Sequence, residues 1–286
     1  MSKVVITGAN GFLGSTLCGY FLEKNWSVTA LVHHLPANPI AGVTYHQFDL
    51  SLEPEQSFFE GADCFIHCAY AKAAKGMDAF TINIEGTKKL LAVSRKCGVK
   101  KNIFISSLAS REDALSVYGK QKFATEKLFN QPNDLILRPG LILGKGGLFG
   151  QMRNYLQKSK LIPLISGGKQ PMQTIYVNEV AQAIELCIQK NISGTLSIAM
   201  PDKLSYKEFY QLLCKSLNAK PIFVSLPHSL LYAGLTISET IGIPLPINRE
   251  NLLGLKKISH IDTTVDLAKI GIQLKSCEEV LNLIKD

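Results

Sequence analysis

The sequence predicts an α/β protein built on a doubly wound parallel sheet. Two observations carry this. Short β-branched runs alternate with amphipathic stretches of helical period. The first such run, Val4-Val5-Ile6-Thr7, enters a glycine-rich turn that opens a helical pattern. With 286 residues, 46% of them apolar, the chain has enough hydrophobic side chain for a large core.

The turn reads Gly8-Ala9-Asn10-Gly11-Phe12-Leu13-Gly14, and the helical pattern continues through Leu17, Phe21 and Leu22. Between a strand and a helix, glycines make a tight turn, let backbone N–H groups approach a pyrophosphate and let the helix pack closely on the strand. The helix N-terminus adds partial positive charge. Gly8, Asn10, Gly11, Phe12, Leu13 and Gly14 are therefore expected along a dinucleotide, the alternative being an ordinary glycine-rich turn. Further strands are expected at Val28–Val32, Cys64–Ala69, Asn102–Ser106 and Leu135–Arg138, with helices from Phe80 to Cys97 and from Tyr118 to Phe129. Right-handed crossovers between them place ligands at the carboxyl ends of the strands. At the end of the second strand, Val32-His33-His34 lacks the acidic residue that would grip an NAD ribose. His33 facing a 2′-phosphate points to NADP, with NAD as the alternative and a solvated histidine turn as the bland reading.

The stretch SSLASREDALSVYGKQK, residues 106 to 122, follows the fifth strand. A Tyr-x-x-x-Lys match is common by chance, so the context decides. Ser106 and Ser107 close a strand at the ligand-facing edge and point to opposite faces, so one of them serves. Tyr118 and Lys122 share a helix face because they are four apart. A phenol with an ordinary pKa of ~10 becomes a usable acid/base when an ammonium stands beside it.

Thr7, Gly8, Gly11 and Gly14 match Thr-Gly-x-x-Gly-x-x-Gly, and the chain here resembles the short-chain dehydrogenase/reductase superfamily. The resemblance implies a Rossmann-type domain in which Ser107, Tyr118 and Lys122 are catalytic, Tyr118 and Lys122 also meeting the cofactor. It implies that Asp49, beside Leu50, meets the adenine, and that Cys68, Ala69 and Tyr70 pass along the cofactor. It likewise implies that Asn83 and Pro139 lie near the cofactor, with an N-cap or surface asparagine as the alternative for Asn83. Glu126 matches a structural glutamate, and His67 is expected to pack or bond locally.

The strings Leu141-Ile-Leu-Gly144-Lys-Gly146 and Gln173-Thr-Ile-Tyr-Val-Asn-Glu-Val-Ala181 resemble the NAD-dependent epimerase/dehydratase branch, of which this is an extended or atypical member. That implies a nucleotide-binding domain over 1–145 with a return segment at about 172–200. A small C-terminal α/β substrate lobe takes about 146–171 and 201–286, with tail helices at 205–217, 228–241, 264–270 and 277–285. Sugar-nucleotide members usually carry Asn where this chain has Leu141, and often Arg where it has Met172. Lys145, Lys169, Arg249 or Lys256 are the candidate replacements. Leu108 and Ala109 stand where dehydratases place an acid pair, which disfavours dehydration.

The net charge of +8 comes from scattered lysines without an aromatic-interleaved basic stripe, which argues against nucleic acid. Seven cysteines (Cys18, Cys64, Cys68, Cys97, Cys187, Cys214 and Cys277) without C-x-x-C read as buried thiols in a reducing compartment, and no metal is expected. The apolar stretch from Leu226 to Ile247 is broken by His228, Glu239, Pro244 and Pro246 and is read as a lobe helix or lid, with a monotopic membrane contact as the alternative. No export signal precedes the first strand, so a cytoplasmic protein is expected. A homodimer is left open. Three functions are compatible with these residues: a nucleotide-sugar epimerase or ketoreductase, an NADPH-dependent reductase of an apolar carbonyl compound, and a non-catalytic NAD(P)-binding assembly protein. The small-molecule substrate itself is not legible.

Overall fold

The computed structural model describes residues 1–72, 78–159, 161–241, 249–256 and 258–285. In chain order its elements are β1 (Lys3–Thr7), α1 (Phe12–Glu23), β2 (Ser27–Val32), β3 (Val43–Gln47), β4 (Cys64–His67), α2 (Ala79–Lys96), β5 (Lys101–Ile105), α3 (Val117–Glu126), β6 (Leu135–Pro139), β7 (Leu141–Leu143), α4 (Gly147–Lys158) and β8 (Leu161–Ile165). They continue with β9 (Pro171–Met172), β10 (Thr174–Tyr176), α5 (Val177–Gln189), β11 (Gly194–Ile198), β12 (Leu204–Ser205), α6 (Tyr206–Ser216), β13 (Ile222–Leu226), α7 (His228–Thr240), α8 (Arg249–Lys256), α9 (Thr264–Ile270) and α10 (Cys277–Leu283). They fall into two compact units.

The first unit comprises residues 1–107, 121–138 and 177–196. Its seven-stranded sheet has the order β11-β6-β5-β4-β1-β2-β3, and the neighbours from β3 to β6 run parallel. The chain winds outward from β1 through β2 to β3, then returns to β4 on the other side of β1. The crevice at the carboxyl ends of β1 and β4 is thus a topological switch point, where ligands bind in such sheets. Helices cover both faces of a parallel sheet, so its central strands read as continuous apolar runs: Val4, Val5 and Ile6 in β1, and Cys64, Phe65 and Ile66 in β4, are fully buried. One aromatic cluster between sheet and helices contains Phe48, Phe58, Phe59, Phe65, Phe104 and Phe129 with Leu90 and Leu91 of α2. This is the Rossmann-type α/β architecture.

The second unit comprises residues 108–120, 139–176 and 197–286. Three strand pairs build it: β7 with β10 and β8 with β13, both parallel, and β9 antiparallel to β12. Phe149, Met152 and Leu156 recur at three and four residues along α4 and pack with Phe209 and Leu213 of α6 and with Val280 and Leu281 of α10. Helices α6 and α10 each begin with a reciprocal capping box, Ser205 with Glu208 and Ser276 with Glu279. A second cluster joins Ile165 to Leu231 and Leu235 of α7 and Leu252 of α8. Of the apolar stretch from Leu226 to Ile247, residues 228–240 form α7, and 242–247 lie outside the described residues. Among the described residues no helix is long and apolar enough to cross a membrane.

Candidate functional site

The glycine turn after β1 is compressed to a point that only glycine tolerates at two positions. Gly8 has φ +67°, and a Cβ there would stand 2.8 Å from the backbone N and Cα of Ala69, which follows β4. A Cβ on Gly14 would overlap the Gly8 carbonyl oxygen. Gly11 is the N-cap of α1, its N–H donating to that carbonyl at 2.9 Å, and it offers no side chain to the helix's first N–H groups. No acidic residue stands in the first turn. Bare N–H groups on a turn shaped by missing Cβ atoms suit a phosphate, and these residues fit a dinucleotide pyrophosphate. Asn10 ties the turn to the end of β2 by donating from Nδ2 to the His34 carbonyl. Gly8→Ala is expected to cost about 2–4 kcal/mol of stability, from the left-handed backbone and the overlap together. A thermal midpoint equal to wild type would contradict this reading of the turn.

At the ends of β2 and β3, His33 Nε2 lies 2.8 Å from Asp49 Oδ2. Ser51 donates to Asp49 Oδ1 from its N–H at 2.8 Å and its hydroxyl at 2.7 Å. These bonds, with desolvation opposing and His33 adding a smaller contribution, hold the Asp49 carboxyl below its usual range. The structure therefore brings His33 and Asp49 together, and the carboxylate anchors the imidazole. Leu50 is buried, and its carbonyl oxygen sits where a Cβ on Gly86 would fall, so α2 packs against this loop through a glycine.

Beyond β4, Asn83 is consumed by the backbone. Its Oδ1 accepts from Ala71 N at 2.8 Å, and its Nδ2 donates to the carbonyls of Ala71 at 2.8 Å and Ala79 at 2.7 Å. It fixes the segment after Cys68, Ala69 and Tyr70 to the start of α2. His67, buried in β4, joins Thr7 Oγ1 at 2.7 Å to Thr87 Oγ1 at 2.9 Å. Burial, with a smaller contribution from the Lys122 charge, pulls its pKa down to about 3, so the ring is neutral at physiological pH. This Thr7–His67–Thr87 chain gives no sequence signal, because its members lie on separate elements.

Lys122 lines a narrow recess with Tyr70, Asn83, Phe104 and Gln121. Its Nζ donates to the Ile105 carbonyl at 2.7 Å and stands 4.6 Å from the ring centre of Phe104 and 5.6 Å from that of Tyr70. Ring faces attract a desolvated cation. Burial nevertheless brings the ammonium's pKa from the usual 10.5 to about 8. Of the serine pair at the end of β5, Ser106 turns inward. Its hydroxyl donates to Glu126 Oε1 at 2.5 Å, and the same carboxylate takes Arg138 Nε at 2.8 Å and Nη2 at 2.5 Å. Glu126 is thus a structural acid. Tyr118, the second residue of α3, is 37% exposed, one helical turn before Lys122. Pro139 ends β6, and its carbonyl accepts from Leu108 N at 3.1 Å.

In the second unit Met172 is buried and Leu141 half-buried, both in the apolar cluster of Phe149 and Tyr206. Neither side chain offers a polar group to a diphosphate. Arg249 is bound to Glu239, Nε to Oε2 at 2.6 Å and N–H to Oε1 at 2.8 Å, while Lys145, Lys169 and Lys256 are exposed. The seven cysteines form no disulfide, and among the described residues no cluster of His, Cys, Asp and Glu could hold a metal.

The family model described as "NAD dependent epimerase/dehydratase family" matches residues 4–199. The ceramide reductase of Caulobacter vibrioides is 29% identical over an alignment covering 94% of this chain and 87% of that protein. Two solved structures share the fold: human epimerase family protein SDR39U1 with NADPH, at TM-score 0.76 and 18% identity over 99% of each chain, and UDP-glucuronic acid 4-epimerase from Bacillus cereus with UDP-glucuronic acid and NAD, at TM-score 0.73 and 18% identity over 99% of this chain and 98% of that one. At these identities the structural likeness speaks for the fold alone.

Proposed function

Because the chain belongs to the NAD-dependent epimerase/dehydratase family, we propose that it is a cytoplasmic NADPH-dependent ketoreductase of an apolar, long-chain carbonyl compound. The observation that carries this substrate class is the apolar pair Leu141 and Met172, held in a hydrophobic cluster at positions where the branch resemblance implies Asn usually and Arg often in sugar-nucleotide members. The near full-length likeness to a ceramide reductase supports it.

Gly8, Gly11 and Gly14 would hold the pyrophosphate, and His33 the 2′-phosphate, with its imidazole oriented by Asp49. NADPH, when bound, supplies the hydride that turns the carbonyl carbon into a secondary alcohol carbon. Tyr118 donates its phenolic proton to the carbonyl oxygen, and Ser107 donates a hydrogen bond to the same oxygen as negative charge grows there. Lys122, four residues further along α3, would favour the phenolate left behind through its ammonium. Its other N–H groups would meet the nicotinamide ribose. The neutral His67 adds no competing charge in the recess.

Long-chain 3-oxo amides and ketones, UDP-sugars and buffer alone, each with NADPH, test this by thermal stabilisation and by loss of NADPH fluorescence. Turnover of the long-chain ketones supports the proposal. Turnover of UDP-sugars alone would replace the substrate class, and cofactor binding without any turnover would turn the chain into a non-catalytic binding protein. For the cofactor, NADPH is expected to bind more tightly than NADH, and His33→Ala to weaken NADPH by ~3- to 10-fold while leaving NADH nearly unchanged. Equal losses for the two cofactors in a fluorescence titration would remove His33 from the 2′-phosphate.

A further inference from the structure

The first turn of α3 carries Tyr118, and what holds that turn is partly supplied from 133 residues away. A helix leaves its first four N–H groups without intrahelical partners, and an uncapped first turn frays. Tyr118 is the second residue of α3, inside the part that fraying would displace. Two observed contacts hold it. Ser116 Oγ accepts from Gly119 N at 3.1 Å, the usual N-cap bond to the third residue. The second contact is from Glu250, in the first turn of α8, whose Oε2 accepts from Val117 N at 2.6 Å. A carboxylate on a helix N-terminal N–H is a charge-assisted bond, and it opposes the positive end of the helix dipole.

Glu250 is itself held in place. Its neighbour Arg249 clasps Glu239 of α7 with two hydrogen bonds, and Leu252, one turn further along α8, is fully buried against Leu231 and Leu235 of α7. A Cβ on Gly254 would stand 3.8 Å from Ser116 Oγ, so α8 also lies close to the Ser116 cap. All these residues belong to the second unit.

We propose that Glu250 is a positioning residue for Tyr118: it caps α3 from α8, and so makes the placement of the phenol depend on how α8 is held against α7. This rests on the reading of Tyr118 as the acid/base, but the capping and its consequence can be measured separately. Hydrogen exchange across residues 116–120, kcat and KM for the ketone, and NADPH affinity are compared in wild type, Glu250→Ala and Glu250→Gln. In the Ala variant the amides of 117–119 exchange faster and kcat falls by ~10- to 100-fold, the scale of a misplaced reacting group. NADPH affinity stays within ~2-fold, because the proposed cofactor contacts of Gly8, Gly14 and His33 lie in the first unit and are untouched. Gln keeps an acceptor of the same length and recovers most of kcat. Unchanged exchange in the Ala variant overturns the cap. Faster exchange with unchanged kcat overturns the positioning role, and so does a Gln variant as slow as Ala. If wild type shows no turnover, the enzymatic reading has failed and the positioning role falls with it, while the exchange data still decide the cap.

Discussion

Tyr118→Phe is expected to lower ketone turnover by at least ~10², the low end of what general acid–base catalysis contributes, and to leave NADPH binding within ~2-fold of wild type. The substitution deletes one hydroxyl and keeps the ring. The residue is 37% exposed, and an unchanged thermal midpoint in the variant separates loss of rate from loss of fold. The serine pair supplies an internal control. Ser107→Ala removes the proposed hydrogen bond to the reacting oxygen and should slow turnover. Ser106→Ala instead takes a donor from the Glu126 carboxylate, which is buried and shared with Arg138, and should cost about 1–2 kcal/mol of stability with little change in rate. Full activity in Tyr118→Phe, or a rate loss in Ser106→Ala matching that in Ser107→Ala, would end the mechanism and favour a non-catalytic binding protein.

The contrast between the two serines shows what a sequence can carry. Strand alternation is local information and leads the sequence to expect the two serines to differ; the structure places Ser106, just past the end of β5, as a buried partner of Glu126. The glycine turn was legible for the same local reason, since strand, turn and helix are contiguous. Helix α4 also had a local signal, Phe149, Met152 and Leu156 at helical spacing, which the glycines at its start obscured. Other features were not legible because they join residues far apart in the chain. Nothing in the segment around Glu250 marks it as the acceptor for Val117, and nothing around Asp49 shows that its carboxylate meets His33. Asn83 was placed near the cofactor by resemblance. Only the structure shows that its amide holds the segment after β4 through three backbone hydrogen bonds.

Lys122→Met should separate stability from function in opposite directions. The ammonium is fully buried beside Phe104 and Tyr70, and burial lowers its pKa from 10.5 to about 8. The sign follows from proton binding. Between these two values the unfolded chain holds more protons on this lysine than the folded one, so stability rises with pH across that window; below about pH 8 both states are charged and the full desolvation cost is borne. That difference corresponds to about 3 kcal/mol at neutral pH. A methionine of similar length removes the charge but also forfeits the bond to the Ile105 carbonyl, worth about 1–1.5 kcal/mol. The apo variant should therefore be about 1–2 kcal/mol more stable than wild type at pH 7, with a thermal midpoint higher by a few degrees. The gain should shrink as pH rises from 8 towards 10.5, where wild type sheds the same charge. Turnover should fall by more than ~10², and NADPH affinity by ~10-fold, because one ammonium is proposed to serve both the phenolate and the ribose. Buried charge that weakens the fold and is retained for chemistry is the expected trade at an active site. A variant less stable than wild type at pH 7, or one whose stability difference does not change between pH 8 and 10.5, would show that Lys122 is held as a structural cation and would remove the electrostatic basis for its proposed role.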